Sequence, residues 1–359
     1  MTRAEEFLRR LEPSFLPSIG AGRVEGPLDE LARRRFLFLT GKGGVGKTTV
    51  SAALATALAA RGLRVLIAMC HTKERLSAVL GSKPIGRDIV ECAPGVFAVN
   101  IEPELALYEY GLMVIKVRTL ASAVFENAYI KAFLRAVPGL YEWSMLGKAW
   151  FHTTEVERDG RNKYDVVIFD APATGHGLDM LRVPKVILDV APPGVLRRDA
   201  QRAVDLFRDA DKSGIVVVTL PEEMPVTETI ELVQAVETEL KMPVLRLVIN
   251  AVLPPLFRDD ERSRLAAHKE LLTLHAAEAA AHGTHGAHQA RVSPAFVAGA
   301  RRAVREDVQR DSLKRLLTTL KQPAMLLPHL LDEASTRAGT GLLAEVLGAN
   351  AIAGRERVV

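Results

Sequence analysis

Continuous apolar runs alternate with helical patterns along most of this chain. Six runs are mostly apolar: 35–40 (RFLFLT), 64–69 (RVLIAM), 95–102 (GVFAVNIE), 164–172 (YDVVIFDAP), 214–221 (GIVVVTLP) and 244–250 (VLRLVIN). Strands that are buried on both faces of a parallel sheet have this pattern. We therefore predict an α/β fold, in which helices cover both faces of a mostly parallel sheet.

The spacing of these runs predicts how the domain is organised. About sixty residues with helical periodicity separate the third and fourth runs, which predicts an inserted helical subdomain over about 103–160. Further helices are expected at about 256–320, followed by a short strand and a closing helix. Residues 1–34 are polar with scattered leucines, so we predict an N-terminal extension before one main domain over 35–359.

Composition narrows the class of protein. No apolar run reaches the roughly 18 residues of a membrane span, and charges interrupt the N-terminus, so we expect a cytoplasmic protein without a transmembrane segment. The 47 basic and 43 acidic residues are dispersed, and no nucleic-acid partner is expected. Cys70 and Cys92 do not form a C-x-x-C pair and are interpreted as inert thiols.

A phosphate-binding loop follows the first predicted strand. The segment from Gly41 to Thr48 fits G-x-x-x-x-G-K-[ST], directly after a strand and at the start of a helix. Backbone N–H groups of such a loop surround phosphates, the Lys47 ammonium reaches the β- and γ-phosphates, and the Thr48 hydroxyl binds Mg²⁺. The residues assigned to nucleotide are Gly41, Lys42, Gly43, Gly44, Val45, Gly46, Lys47, Thr48 and Thr49.

The loop has a second lysine, Lys42, which lies too early to hold the phosphates of its own subunit. The sequence KGGVGKTT resembles the deviant Walker A motif of the SIMIBI class of P-loop ATPases. The resemblance implies that Lys42 contacts the nucleotide of a facing subunit and neutralises charge in the transition state, as an arginine finger does. An exposed loop lysine without this role is the alternative.

The segment after the fourth strand, DAPATGHGLDMLRVP, resembles switch II of the arsenite-pump and tail-anchored-protein-targeting ATPases, the ArsA/Get3 family. By this resemblance, Asp170 holds Mg²⁺ through water and is catalytic together with Lys42 and Lys47. Thr174, Gly175 and His176 would sense the γ-phosphate. The family places an adenine-binding asparagine where Asn250 ends VLRLVIN, which implies ATP rather than GTP.

One segment departs from the family pattern. The family has an aspartate that orients the attacking water where this chain has His71, in MCHTKERLS, and Glu74 is a candidate substitute. Hydrolysis is then slow, or the chain pairs with a homologue that has the aspartate. The cysteines of the pump's arsenite site and the C-x-x-C of a zinc-clasped dimer are missing, so neither site is expected.

Together these resemblances imply an ATP-hydrolysing dimeric switch, as a homodimer or a heterodimer, that couples nucleotide state to binding of a protein partner. Two alternatives are a weakly active subunit of an unlike pair and a partitioning-type ATPase. Apolar and aromatic residues of 103–155 could line a groove for a hydrophobic client or pack the subdomain's own core. His282, His285 and His288 could form a metal-binding face or lie in a surface linker.

Overall fold

An eight-stranded sheet forms the centre of the protein in the computed structural model, which describes residues 2–11, 27–71, 74–115, 139–172, 176–267, 294–331 and 333–353. The strands are β1 Phe36–Thr40, β2 Val65–Cys70, β3 Val90–Ala93, β4 Val96–Ile101, β5 Val166–Asp170, β6 Ser213–Thr219, β7 Val244–Val252 and β8 Ala324–Pro328. They lie in the order β3-β4-β2-β5-β1-β6-β7-β8. All neighbours are parallel except β3 and β4, which confirms the predicted sheet.

Helices pack against this sheet. The described helices are α1 Arg3–Arg10, α2 Pro27–Ala32, α3 Lys47–Ala59, α4 Leu76–Leu80, α5 Pro103–Ile115, α6 Leu140–Phe151, α7 His176–Val190, α8 Val195–Arg208, α9 Glu223–Ala235, α10 Asp259–Ala266, α11 Pro294–Thr319 and α12 Arg337–Ala353. A π-helical turn, Val236–Leu240, extends α9. Every residue of β1, β2, β5 and β6 is buried, as expected of strands with both faces covered.

The strand that the sequence pattern missed is β3. It is four residues long, forms the antiparallel edge of the sheet and is only partly buried, so its VECA sequence is not a continuous apolar run. An edge strand with one solvated face needs fewer apolar residues than a central one. The six predicted strands and the short strand before the closing helix are all present.

The described parts of residues 1–34 pack onto the main body. Phe7 of α1 and Leu31 of α2 belong to the hydrophobic core, and α1 lies against α12. On β7, Arg246 is buried and forms an ion pair with Glu30 of α2. These helices therefore contribute to the core, while the division at residue 34 stays a prediction.

The helical region between β4 and β5 is partly described. Helices α5 and α6 pack on each other, and α6 also contacts α7. Residues 116–138 of the predicted subdomain lie outside the described residues. Within the described part of the chain, no helix combines the length and the apolar composition that crossing a membrane requires.

The topology brings the predicted site residues to one edge of the sheet. Parallel strands present their carboxyl ends together, and ligands of open α/β sheets bind outside those ends. Here β1 leads into the phosphate loop, β2 into His71, and β5 ends at Asp170, while Asn250 lies near the end of β7.

Candidate functional site

The loop between β1 and α3 has a conformation that requires glycine. Gly41, Gly44 and Gly46 have φ angles of +149°, +85° and +89°. A Cβ atom on Gly41 would collide with the Val218 carbonyl oxygen, and one on Gly46 with the Asn250 side-chain amide. The loop can therefore pass close to β6 and β7 only with glycine at positions 41 and 46.

Lys47 folds back over this loop. Its Nζ donates to the carbonyl oxygens of Gly41, at 2.9 Å, and Lys42, at 3.0 Å. Burial lowers the pKa of Lys47, and the nearby Asp170 carboxylate partly opposes this shift. The side chain thus places a cation at the concave side of the loop, where a phosphate would bind.

Thr48 and Asp170 meet beneath the loop. The Thr48 hydroxyl donates to Asp170 Oδ2 at 2.8 Å. Burial raises the pKa of Asp170 to about 6, while the Thr48 hydrogen bond and the Lys47 charge act in the opposite direction. Asp170 Oδ1 and Thr40 Oγ1 are buried without a hydrogen-bond partner. A hydroxyl beside a carboxylate with an unsatisfied oxygen is a donor set that fits Mg²⁺.

Asn250 is fixed by a bulge in β7. The pairing of β7 with β8 shifts register between Ile249 and Val252, and Ala251 has φ of +56°. This irregularity directs the Asn250 side chain to the phosphate loop, where Nδ2 donates to the Val45 carbonyl at 2.9 Å. This bond uses one Nδ2 hydrogen and fixes the orientation of the amide, whose hydrogen-bond acceptor is Oδ1.

Beside Asn250 lies a cavity of about 600 Å³. Gly46, Asn250 and His329 line it together with Val304, Arg305 and Val308 of α11. Burial lowers the pKa of His329, and the charges of Arg305 and Arg302 lower it further. The position of this cavity next to the phosphate loop suits the base and ribose of a nucleotide.

The sequence pattern did not indicate the wall of this cavity. On α11, Gln309 donates to the Leu253 carbonyl at 2.9 Å and accepts from the Leu253 N–H at 2.8 Å. One turn earlier, Glu306 accepts from the Leu256 N–H at 3.0 Å. These bonds hold the chain after β7 against α11. Their partners lie about fifty residues apart, so no local motif could have identified them.

Lys42 does not project freely into solvent. Its Nζ lies 2.5 Å from Glu228 Oε1 on α9, and both side chains are about one third exposed, at 32%. Its backbone carbonyl is one of the two that accept from Lys47. Lys42 therefore has a partner within its own chain.

The structure places His71 at the end of β2. It has φ of +41°, its N–H donates to the Ile101 carbonyl at 3.0 Å, and its side chain is exposed. Glu74 accepts from both the backbone N–H and the hydroxyl of Ser77, at 2.7 and 2.6 Å. The Glu74 carboxylate is thus engaged at the start of α4, which disfavours the interpretation of Glu74 as a substitute for an aspartate at position 71.

Some predicted residues lie outside the described part. Thr174 and Gly175 are not described, and His176 begins α7 without a described side chain. His282, His285 and His288 also lie outside the described residues. In the remainder, no group of three or more His, Cys, Asp or Glu could hold a metal ion.

Cys70 and Cys92 are free thiols whose pKa is raised by burial.

A second cavity, of about 680 Å³, lies among α5, α6 and α8. Its lining includes Met113, Trp143 and Phe151 and is mostly apolar, with Tyr110 and Asp199 at hydrogen-bonding distance, 3.4 Å. Burial and the Asp199 charge raise the pKa of Tyr110 to about 12.

Comparison with known proteins connects this site to one group of ATPases. Residues 34–191 match the family model described as anion-transporting ATPase. The ATPase BagA of Mycobacterium tuberculosis is 28% identical over 242 residues, which cover 66% of this chain and 70% of that protein.

Two further relatives have similar identities. An arsenical pump-driving ATPase of Escherichia coli is 27% identical over 238 residues, 61% of this chain and 40% of the pump protein. ATPase ASNA1 homolog 2 of Paramecium tetraurelia is 27% identical over 267 residues, 63% of this chain and 78% of that protein. The matched region of the family model contains the phosphate loop, Lys42 and Asp170.

Proposed function

Because residues 34–191 belong to the anion-transporting ATPase family, we propose that this chain is a dimeric switch that binds and hydrolyses ATP and couples the nucleotide state to a protein partner. The observation that carries the proposal is the phosphate loop, with Lys47 over its concave side and Thr48 bonded to Asp170 below it. The other residues act around this centre.

In this proposal the loop N–H groups and Lys47 bind the phosphates of ATP. Thr48 and Asp170 hold Mg²⁺, which when bound neutralises phosphate charge. The buried Asp170 carboxylate accepts the Thr48 hydrogen, which leaves the lone pairs of the hydroxyl oxygen available to Mg²⁺.

Asn250 supplies base preference. With Nδ2 bonded to Val45, the free Oδ1 accepts the amino hydrogen of adenine. Guanine has a carbonyl oxygen at that ring position, so two acceptors would face each other. The proposal therefore names ATP rather than GTP.

Lys42 acts between subunits. When two copies face each other across the edge of the sheet with their nucleotides between them, the Lys42 ammonium reaches the phosphates of the partner. A cation there stabilises the charge that develops during phosphoryl transfer. Hydrolysis is then coupled to closure of the dimer, since one subunit alone lacks this charge.

Switch II provides the output. Asp170 ends β5, and α7 begins at His176, only a few residues later. Helix α7 contacts α6 and α8, which border the apolar cavity of the helical region. A nucleotide-dependent shift of α7 would reshape that cavity, and a hydrophobic segment of a client protein fits its lining.

A second candidate is a weakly active subunit that pairs with an active homologue. His71 favours it, since an imidazole stands where the resemblance places a carboxylate and Glu74 is engaged with Ser77. His71→Asp should then increase turnover of the purified chain. Unchanged turnover would show that the missing carboxylate does not limit hydrolysis.

The proposal is tested by steady-state ATP hydrolysis over a range of protein concentrations, with the mass in solution measured with and without Mg-ATP. We expect turnover per chain to increase with concentration, and Mg-ATP to double the mass. Lys42→Ala should reduce turnover at least about tenfold while ATP binding persists.

Two results would separate the candidates. Tight ATP binding without turnover or dimerisation would favour the subunit of an unlike pair. Concentration-independent turnover that is unaffected by Lys42→Ala would contradict the dimeric mechanism.

A further inference from the structure

A salt bridge within one chain holds the lysine that the proposed function assigns to a facing subunit. Lys42 Nζ lies 2.5 Å from Glu228 Oε1, and these residues are 186 positions apart in the sequence. Glu228 lies on α9, in the second turn after Glu223, and is no part of the phosphate loop or of the base cavity. The ammonium group therefore has a competing anion in its own subunit.

The backbone of Lys42 is anchored as well. Its carbonyl accepts a hydrogen bond from Lys47 Nζ at 3.0 Å. A phosphate in the loop attracts the Lys47 ammonium away from this carbonyl, because a phosphate oxygen is the stronger acceptor. Phosphate binding thus loosens the backbone of Lys42, while the Glu228 salt bridge still holds its side chain.

We propose that Glu228 is a latch: it holds Lys42 within its own subunit, and its release controls how readily the ATP-bound dimer closes. The inference rests on the proposed function, in which Lys42 contacts the partner's nucleotide. Lys42 has a single ammonium group, and contact with distant phosphates requires it to leave the Glu228 carboxylate. Glu228 is a positioning residue, since it acts through Lys42.

The size of the effect follows from the exposure of the pair. Both side chains are about one third exposed, at 32%, so water screens their attraction. Such a pair changes an equilibrium by up to about fivefold. A symmetric dimer has two latches, and opening both changes the dissociation constant by up to about 25-fold.

The test uses Glu228→Gln, which removes the charge and keeps the side-chain shape. Dimer formation is measured by sedimentation with Mg²⁺ and a non-hydrolysable ATP analogue. We expect a dissociation constant about 2- to 25-fold lower than in wild type. Glu231→Gln, at an exposed position of the same helix, is the matched control and should leave the dimer unchanged.

A double-mutant comparison separates the latch from a general charge effect. In a Lys42→Ala background, Glu228→Gln should no longer strengthen dimerisation, because the residue it acts through is missing. An equal strengthening in both backgrounds would overturn the latch. Weaker dimerisation of Glu228→Gln would also overturn the latch, because it would show that Glu228 holds Lys42 in its productive position.

Failure of the latch can be distinguished from failure of the proposed function. If wild type dimerises with the ATP analogue and Glu228→Gln has no effect, only the latch is overturned. If neither wild type nor Glu228→Gln dimerises at any concentration, both are overturned.

Discussion

Thr48 donates its hydroxyl hydrogen to the Asp170 carboxylate across 2.8 Å and thereby joins the first turn of α3 to the end of β5. The two residues are 122 positions apart, and they meet because β1, which leads into the loop before Thr48, pairs with β5 in parallel. The loop between β1 and α3 and the end of β5 therefore share one contact. We expect any ligand that binds Thr48 to act on Asp170 as well.

The first prediction concerns this contact. Thr48→Val should abolish the increase in ATP affinity that Mg²⁺ causes, because the donor set loses its hydroxyl oxygen. We expect the affinity for ATP in the presence of Mg²⁺ to fall about tenfold or more. The measurement is titration calorimetry with ATP, with and without Mg²⁺. Thr56→Val, which removes a hydroxyl bonded to the Ala52 carbonyl on the same helix, is the control and should leave the Mg²⁺ effect intact.

Gly46 provides a second prediction, with a matched glycine elsewhere. Gly46 and Gly62 have nearly the same φ, +89° and +85°. A Cβ atom at Gly46 would collide with the Asn250 amide, whereas a Cβ atom at Gly62 would have no other atom within 4 Å. Gly62→Ala should cost about 1–2 kcal/mol of folding free energy through backbone strain alone. Gly46→Ala should cost more and also displace Asn250.

The readouts are the free energy of unfolding and the thermal shift on adding ATP. Gly62→Ala should retain the full shift, whereas Gly46→Ala should lose it. Equal behaviour of the two variants would contradict the close packing of the loop against β7.

Base preference is a third prediction. Asn250→Ala removes the acceptor that discriminates adenine, so ATP and GTP should compete more equally, with the preference falling about tenfold. Competition of each nucleotide against a fluorescent ATP analogue measures this ratio. Lys42→Ala is the control and should leave this ratio unchanged. An unchanged ratio in Asn250→Ala would show that Asn250 does not recognise the base.

A fourth prediction tests whether the N-terminal helices belong to the folded domain. Glu30→Ala leaves Arg246 buried without its ion-pair partner, which should destabilise the protein by about 3 kcal/mol. Glu6→Ala removes an exposed pair with Arg10 and should cost less than about 0.5 kcal/mol. The comparison is made by urea unfolding of both variants, and equal small effects would mean that the Glu30–Arg246 ion pair does not contribute to stability.

His152 provides a pH-dependent prediction. Burial lowers its pKa below the usual 6.5, although the hydrogen bond to Glu155 opposes the shift. The neutral ring donates from Nδ1 to Glu155, while Nε2 is buried without a partner. Below pH about 6.5, His152 is protonated in the unfolded chain but remains neutral in the folded chain until a lower pH. The free energy of unfolding therefore decreases on acidification.

The check is the free energy of unfolding of wild type and His152→Asn between pH 5 and 8. Each unit of difference in pKa between the two states corresponds to about 1.4 kcal/mol. Stability of wild type relative to His152→Asn should therefore decrease as the pH falls below 6.5. A constant difference between the two proteins over this range would contradict the assignment.

The sequence was sufficient for the central sheet and for the position of the glycine-rich loop between β1 and α3. Continuous apolar runs mark strands that are buried on both faces, and the G-x-x-x-x-G-K-T pattern is local in the chain. The short edge strand β3 was missed because Glu91 and its partly buried neighbours break that pattern. Likewise, the polar character of residues 1–34 hid the buried Phe7 and Leu31.

The interactions that tune the site depend on distant partners. The Lys42–Glu228 salt bridge and the bonds from Gln309 to Leu253 connect segments that only the folded chain brings together. The Ala251 bulge that orients Asn250 is equally invisible in an apolar run, since its origin is the pairing of β7 with β8. The role of Lys42 between subunits stays a prediction.

The most direct test of the central claim is subunit complementation between Lys42→Ala and Asp170→Asn, each of which should be nearly inactive alone. The parent is wild type or His71→Asp, whichever has the higher turnover. If Lys42 acts across the dimer, an equal mixture should recover about a quarter of parental turnover, because half of the dimers are mixed and each has one complete site. If the mixture forms mixed dimers and its turnover stays at the level of the separate variants, Lys42 does not act between subunits.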